Sequence, residues 1–341
     1  MASVDPMSLR FDPIGYGSTL NPHSLTTDTE CNIDKYFPLN CKYFDIDCMN
    51  SLDDNKRDIS LFHLNTRSLN NADKANNVIS YISSFHNHFD IYGFTESWFN
   101  SIEEANLISI EGYNSENCIR EDRRGGGASL FIHPKYNYVK REDLELNCSD
   151  CDSVFVELPV ERGNIIVGAI YKPQSVDFTS FITELERTTA VVNNENKRCY
   201  IMGDFNLDLL KHDTSLDVAN FINLFYSFNF CPLIDRPTRI AFNEKKGTFS
   251  ATIIDIIFTN DILKNIQSGV ITTDLSDHFP VFLITSGNVS NSANGPSPYL
   301  TKRRMKPENT HGLKMPSQSQ TGVQFSLTLT QSLHTTISTL N

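Results

Sequence analysis

Apolar residues in the middle of the chain fall into two alternating patterns. Continuous apolar runs, which predict buried strands, occur at residues 59–64, 89–94, 165–171, 199–202, 253–258 and 279–284. Apolar residues at helical spacing predict amphipathic helices at residues 75–85, 178–192 and 218–228. Asp73 is a candidate cap for the first helix. Residues 110–160 hold several short strand signals around a Gly-Gly-Gly turn. Strands interleaved with helices predict an α/β or α+β domain in which helices cover the sheets.

We place this folded domain at residues 56–288 and expect both ends of the chain to be poorly ordered. Residues 1–55 form an acidic leader with little periodicity, apart from a short strand or helix signal near Tyr43. Residues 289–341 form a tail that is basic at first and then rich in Ser and Thr. Such a composition cannot bury enough apolar surface to offset the entropy lost on ordering.

Charge and cysteine content narrow the class of protein. The 341 residues carry a formal net charge of −12, which argues against a broad basic face that coats nucleic acid but leaves room for a bound cation. We expect no membrane segment and no secretory signal, and therefore an intracellular protein. The eight cysteines are interpreted as reduced thiols, and the Cys148-x-x-Cys151 pair has no second pair at zinc-ligand spacing.

Short polar clusters stand at the ends of most predicted strands. One such cluster alone is more often a turn or a helix cap, but the recurrence favours a shared pocket. The pocket would contain Asn65, Glu96, Tyr171, Asp204, Asn206, Asp255, Asp277 and His278. Carboxylate oxygens are the ligands that a hard cation such as Mg²⁺ prefers. Together with an imidazole and amide groups, they fit metal-assisted hydrolysis of a phosphodiester.

Six motifs between residues 62 and 280 carry a resemblance to a known family. They read Phe62-His-Leu-Asn-Thr-Arg-Ser-Leu69, Phe94-Thr-Glu-Ser-Trp98, Tyr171-Lys-Pro173, Gly203-Asp-Phe-Asn206, Ile254-Asp-Ile-Ile-Phe-Thr-Asn260 and Ser276-Asp-His-Phe-Pro280. Together they resemble the endonuclease/exonuclease/phosphatase superfamily. The residues of these motifs are similar to those of the endonuclease domain of LINE-type (non-LTR) retrotransposon polyproteins. The resemblance implies a four-layer α-β-β-α sandwich, in which two packed mixed sheets are flanked by helices.

The resemblance also implies a metal centre. Glu96 would be the main metal-binding carboxylate, with Asn65 beside it and Asp277 near the metal. The expected cofactor is Mg²⁺, with Mn²⁺ as an alternative. Asn65 would also contact the substrate.

The catalytic set that the resemblance implies is Asp204, His278, Asp255, Tyr171 and Asn206. Asp204 would activate or orient the attacking water, and Asn206 and Tyr171 would act at the phosphate. Asp255 and His278 would form an Asp–His pair. Whether Asp204 or His278 is the general base stays open at this stage.

Loop residues outside the motifs are candidates for contacts with DNA. Arg123 and Arg124 precede the glycine turn, although a glycine-rich hairpin with solvated arginines is the commoner case. Arg239 and Thr248 flank a loop that either grips substrate or serves only as a connection. Trp98 is assigned to the core rather than to a stacking surface, and His63, His86 and His88 to structural or exposed positions.

The resulting hypothesis is a metal-dependent DNA endonuclease that nicks one strand. It would be derived from a retrotransposon, act in the nucleus and need no obligate protein partner. The chain contains no Tyr-x-Asp-Asp polymerase signature, so we expect the reverse transcriptase part to be missing. Two alternatives remain: a phosphoesterase of the same superfamily that acts on a small phosphorylated substrate, and a catalytically dead remnant.

Overall fold

A computed structural model describes residues 41–52, 57–121, 125–160, 163–243, 247–261 and 265–286. The α-helices are α1 (Ile46–Asn50), α2 (Ala72–Ser83), α3 (Ile102–Leu107), α4 (Phe178–Asn194) and α5 (Leu216–Ser227). The strands are β1 (Lys42–Phe44), β2 (Arg57–Asn65), β3 (Ile91–Thr95), β4 (Asn114–Cys118), β5 (Ala128–Ile132), β6 (Val139–Lys140), β7 (Asp152–Leu158), β8 (Ile165–Tyr171), β9 (Arg198–Asp204), β10 (Cys231–Pro232), β11 (Arg239–Asn243), β12 (Thr248–Thr252), β13 (Asp255–Thr259), β14 (Asn265–Ile271) and β15 (Val281–Ser286).

The strands form two large mixed sheets and one hairpin. The seven-stranded sheet has the order β1-β14-β15-β2-β3-β5-β4, and the six-stranded sheet has the order β10-β13-β9-β8-β7-β6. Strands β11 and β12 pair with each other and form a two-stranded sheet. Each large sheet contains a parallel pair joined through a helix, β2 to β3 through α2 and β8 to β9 through α4. Such a crossover is the usual way to connect parallel neighbours.

The two large sheets pack face to face, and the alternation of side chains along β2 shows how the core is divided. Ile59 and Leu61 lie in the cluster between the sheets, which also holds residues of β7, β8, β9 and β13. Phe62 and Leu64 point the other way, into a second cluster with apolar residues of α2. Because both faces of β2 are covered, its sequence is a continuous apolar run instead of an alternating one.

Helices form the two outer layers. Val78 and Ile82 of α2 pack on the seven-stranded sheet. Phe181 of α4 and Phe221 of α5 belong to the same apolar cluster as the residues of β8, β9 and β13 in the six-stranded sheet. The predicted four-layer sandwich is therefore confirmed. In the part of the chain that the structure describes, none of the helices has the length and apolar character needed to cross a membrane.

Several elements differ from the sequence-based expectation. The N-cap of α2 is Asn71, whose side chain accepts from the backbone N–H of Lys74, and not Asp73, which lies in the first turn. By contrast, strand β1 and helix α1 lie at the short strand or helix signal near Tyr43 in the acidic leader, and β1 pairs with β14. The boundaries 56–288 stay a prediction. The tail 289–341 lies outside the described residues.

One expectation about the cysteines is wrong. Cys148 and Cys151 form a disulfide bond, whereas the sequence analysis interpreted all cysteines as reduced thiols. The backbone turns between them, because the N–H of Cys151 donates to the carbonyl oxygen of Cys148 at 3.4 Å. The turn brings the two α-carbons to 5.7 Å, within the range that a disulfide requires.

We predict that Phe258→Ala destabilises the fold strongly. The Phe258 ring is buried and stacks on Phe225, with ring centroids 3.7 Å apart. Its loss should lower the free energy of unfolding by about 3–5 kcal/mol in urea denaturation. Phe249→Ala is the control, because that ring is 63% exposed and should contribute less than about 0.5 kcal/mol. Equal losses in the two variants would contradict the packing described here.

Candidate active site

The register of the strands brings the polar strand ends to one place. Asn65 at the end of β2 pairs with Thr95, the residue before Glu96. In the other sheet, Asp204 at the end of β9 pairs with both Tyr171 and Asp255. Side-chain contacts link the two sets across the space between the sheets. The predicted pocket therefore exists.

The amide of Asn65 connects the two sheets. Its Nδ2 donates to Glu96 Oε1 at 2.9 Å and to Asp204 Oδ2 at 2.7 Å. Its Oδ1 accepts from the backbone N–H of Arg67 at 3.0 Å, which fixes the orientation of the amide. In this arrangement Asn65 turns its N–H groups, and not its oxygen, toward the two carboxylates.

Glu96 is held by neutral donors on both carboxylate oxygens. Besides Asn65, the indole N–H of Trp98 donates to Glu96 Oε2 at 3.2 Å, and the Tyr171 hydroxyl also bonds to Glu96. Burial and the nearby carboxylates of Glu96 and Asp204 raise the pKa of Tyr171, so that the phenol stays a donor. Trp98 is partly exposed and acts on Glu96, which differs from its assignment to the core.

The backbone around Glu96 is unusual and firmly held. Glu96 and Trp98 have positive φ angles of 53° and 59°, a region that is strained for side chains of this size. The N–H groups of these residues donate to the carbonyl oxygens of Gly127 and Gly126, each at 2.9 Å. A Cβ at position 127 would collide with the Ser97 hydroxyl, so the glycine turn allows this close approach.

Asp204 sits in the most negative part of the pocket. It is 1% exposed, and it accepts from the backbone N–H of Asn206 at 2.9 Å. Burial, followed by repulsion from Asp255, raises the pKa of Asp204 to about 7, although His278 and Asn65 oppose this. The carboxyl group of Asp204 can therefore gain and lose a proton near neutral pH.

Asp255 and His278 form the expected pair. The ring Nδ1 of His278 lies 2.9 Å from Asp255 Oδ2, which also accepts from the Thr238 hydroxyl at 2.7 Å. Burial acts to lower the pKa of His278, but the charge and hydrogen bond of Asp255, with the charges of Asp204 and Asp277, raise it to about 9. The ring is thus positively charged at neutral pH.

Asp277 lies between two arginines. Its Oδ2 accepts from Arg67 at 2.9 Å and from Arg239 at 2.8 Å. Although burial acts to raise its pKa, the hydrogen bond from Arg239 and the charges of His278, Arg239 and Arg67 keep it low. The structure shows these ion pairs and does not test the expected role of Asp277 near a metal.

The remaining predicted residues fall into three groups. Asn206 lies in the pocket, where its Nδ2 donates to the backbone oxygen of Lys172 at 3.0 Å. Thr248 is exposed on the β11–β12 hairpin, away from the contacts that form the pocket. Arg123 and Arg124 lie outside the described residues.

The donor set fits a hard divalent cation. Asp204, Asp255 and His278 each offer a ligand atom within 4.8 Å of the others, and Glu96 is joined to Asp204 through Asn65. Burial and, after it, the charge of Asp255 raise the pKa of Asp204, and a cation bound beside these carboxylates would stabilise their ionised forms.

Sequence reasoning missed the supporting roles of Thr238, Arg67 and Trp98. Arg67 and Trp98 lie inside two of the motifs, and Thr238 directly precedes the candidate Arg239, so a signal was available in their position. Their partners, however, are distant in sequence: Thr238 contacts Asp255, and Arg67 contacts Asp277. Without the fold, nothing in the sequence pairs them.

Comparison with known proteins gives a family model and similar folds. Residues 46–278 match the model described as "Endonuclease/Exonuclease/phosphatase family". No curated protein matches the chain in sequence. The fold is similar to the endonuclease domain of TRAS1, a telomere-specific non-LTR retrotransposon, with 15% identity, a TM-score of 0.50, and coverage of 67% of this chain and 98% of that one.

Two further solved structures share the fold. The Xenopus laevis APE2 catalytic domain is 17% identical, with a TM-score of 0.52 and coverage of 67% of this chain and 92% of its own. A D. rerio TDP2 humanized by 14 mutations is 12% identical, with a TM-score of 0.51 and coverage of 67% and 99%. The family model matches most of the chain. The chain therefore belongs to the endonuclease/exonuclease/phosphatase family, whose members are mostly hydrolytic phosphoesterases.

Proposed function

We propose that the protein is a Mg²⁺-dependent DNA endonuclease, derived from a retrotransposon, that nicks one strand of nuclear DNA. One observation carries the proposal: the Asn65 amide joins Glu96 and Asp204, and the Asp255–His278 pair lies directly beside them. This arrangement combines a cation site, a carboxyl group that titrates near neutral pH and a cationic imidazole. These are the groups that hydrolysis of a phosphodiester requires.

Glu96 is the principal candidate to hold the cation, with Asp204 beside it. Asn65 orients both carboxylates through its N–H groups, and Asp277 remains a further candidate on the other side of the pocket. When bound, Mg²⁺ polarises the phosphoryl group and stabilises the charge that develops on it.

The chain's own residues supply the proton transfer. Asp204, whose carboxylate is held by Asn65 and by the backbone N–H of Asn206, can accept a proton from the attacking water. The new bond forms between the water oxygen and phosphorus, and the P–O3′ bond breaks. The departing O3′ takes a proton from solvent water, which leaves a 3′-hydroxyl and a 5′-phosphate. His278 uses Nδ1 for Asp255, so its protonated Nε2 is the nitrogen left to donate to the phosphate. We therefore assign the base to Asp204 and charge stabilisation to His278.

The hairpin beside the pocket favours a polynucleotide over a small substrate. The base of the hairpin is connected to the site. The backbone of Arg239 forms an antiparallel β-bridge with that of His278, and its side chain forms an ion pair with Asp277. Further out, Phe242 and Phe249 are 53% and 63% exposed, with ring centroids 4.8 Å apart. Exposed aromatic rings can stack on bases, so the hairpin offers a surface that a polynucleotide would use and a small phosphorylated molecule would not need.

Nicking of plasmid DNA tests the proposed activity. Purified protein should convert supercoiled plasmid to the nicked form in Mg²⁺ but not in EDTA. Glu96→Gln should lower the rate at least about 100-fold, because it weakens cation binding without removing bulk. Glu186→Gln, at an exposed position on α4, is the matched control and should leave the rate unchanged.

Two outcomes would count against this function. Folded wild-type protein that does not nick DNA in Mg²⁺ but releases phosphate from small phosphomonoesters would identify another phosphoesterase. Folded protein that does neither, and shows no Mg²⁺ binding in calorimetry, would be a dead remnant.

The second prediction concerns stability and pH. In the metal-free protein Asp204 and His278 have folded-state pKa values of about 7 and about 9, both above their ordinary values of 3.8 and 6.5. These two groups therefore bind more protons in the folded state than in the unfolded state, so the stability that they contribute should fall as pH rises from about 4 to about 9. Thermal unfolding followed by circular dichroism measures this.

Mg²⁺ and one variant provide the controls for the pH experiment. Mg²⁺ binds the deprotonated carboxylates, so the rise in melting temperature that it causes should be larger at about pH 9 than at about pH 6. Asp204→Asn should lose less stability than wild type between about pH 4 and pH 7. An equal pH dependence of the melting temperature in Asp204→Asn and in wild type across this range would refute the charge assignment.

A further inference from the structure

His63 lies directly beneath the candidate site. It precedes Asn65 by two residues on β2, so both side chains point to the same face of the strand. Leu61, two residues earlier on that face, belongs to the apolar cluster between the sheets. The imidazole is 0% exposed. The two nitrogens of a fully buried imidazole normally form hydrogen bonds, because a buried polar atom without a partner costs free energy.

The two ring nitrogens of His63 differ in their hydrogen bonding. Nε2 lies 3.1 Å from the Thr95 hydroxyl, whereas Nδ1 is buried with no hydrogen-bond partner among the described residues. Burial lowers the pKa of His63 to about 4, so at neutral pH the ring is uncharged and carries a single N–H. Because the Thr95 hydroxyl can donate to Nε2, the N–H is available at Nδ1.

Asp255 also has one buried side-chain atom that lacks a hydrogen-bond partner among the described residues. Its Oδ2 accepts from His278 and Thr238, but its Oδ1 is buried and has no hydrogen-bond partner within the described part of the chain. An ionised oxygen without a donor is costly inside a protein. Asp255 and His278 are the charged groups that act on His63, and β13, which carries Asp255, packs against β2.

We propose that His63 is a positioning residue that holds Asp255 in place, with its Nδ1–H joined to Asp255 Oδ1 through one buried water molecule. Such a water has polar partners on both sides, as buried waters require. With both oxygens of Asp255 fixed, the carboxylate cannot rotate away from His278 Nδ1. The His278 ring then keeps Nε2 directed at the phosphate. This consequence for catalysis rests on the proposed function.

Two amide substitutions separate the two nitrogens of His63. The side-chain amide of Asn reaches about as far as Nδ1 of a histidine, whereas that of Gln reaches about as far as Nε2. His63→Asn should therefore keep the link to Asp255 and lose the contact with Thr95. His63→Gln should do the reverse. Leu61→Val, on the same face of β2, removes one buried methylene group without touching either link.

The first readout is kinetic. With a labelled oligonucleotide in Mg²⁺, His63→Gln should lower kcat by about 10- to 100-fold with KM within about 2-fold of wild type. His63→Asn and Leu61→Val should stay within about 3-fold of the wild-type kcat, even where urea denaturation shows lower stability. A kcat that falls equally in both His63 variants, or only in proportion to stability, would overturn the proposal.

The second readout does not depend on activity. The His278 Nδ1–H that donates to Asp255 should give a proton resonance far downfield in NMR spectra of the whole protein. This resonance should be identified by its loss in His278→Gln, persist in His63→Asn, and shift or disappear in His63→Gln. An unchanged resonance in folded His63→Gln would reject the positioning role. If wild-type protein cleaves no DNA, the proposed function fails, while the resonance still decides the role of His63.

Discussion

Repulsion between Asp204 and Asp255 is the constraint on which the site depends. The two residues are paired on neighbouring strands, and both are almost fully buried. Like charges at this spacing cannot both stay ionised unless positive charge or hydrogen bonds compensate. The protein supplies Asn65 on one side and His278 on the other, and the pKa of Asp204 still rises to about 7. Burial contributes most to this rise, followed by the charge of Asp255, so the cost of keeping both carboxylates ionised is only partly offset by their present partners.

A second requirement is that Glu96 must reach this place from the other sheet. It does so on a backbone with positive φ at Glu96 and Trp98, which costs free energy at each residue. Hydrogen bonds to Gly126 and Gly127 hold this conformation. The Asp152 carboxylate in turn accepts from the N–H of Gly127 at 2.7 Å. The strained segment is therefore fixed from the six-stranded sheet, and the same packing that joins the sheets also sets the geometry of the site.

The sequence predicted the parts of this molecule that depend on local pattern. The ends of β2 and β9 were located because continuous apolar runs stop at Asn65 and Asp204. Strand β14 was missed because Gln267, Ser268 and Gly269 interrupt the apolar pattern, and its strand character comes from pairing with β1 and β15. Long-range pairing of this kind leaves no periodic signal in one segment.

The candidate site shows the same division. Residue types and motif order were enough to choose Glu96, Asp204 and His278, because metal-assisted hydrolysis restricts the chemistry that can occupy those positions. The groups that support them could not be chosen in this way. Thr238 sits before the hairpin and reaches Asp255 only after folding, and His63 looks like any core histidine until its depth below Asn65 is known. Supporting residues are selected by position in three dimensions and not by reactivity. A sequence can therefore indicate which reaction a site catalyses, whereas the residues that hold the reactive groups in position become apparent only from the structure.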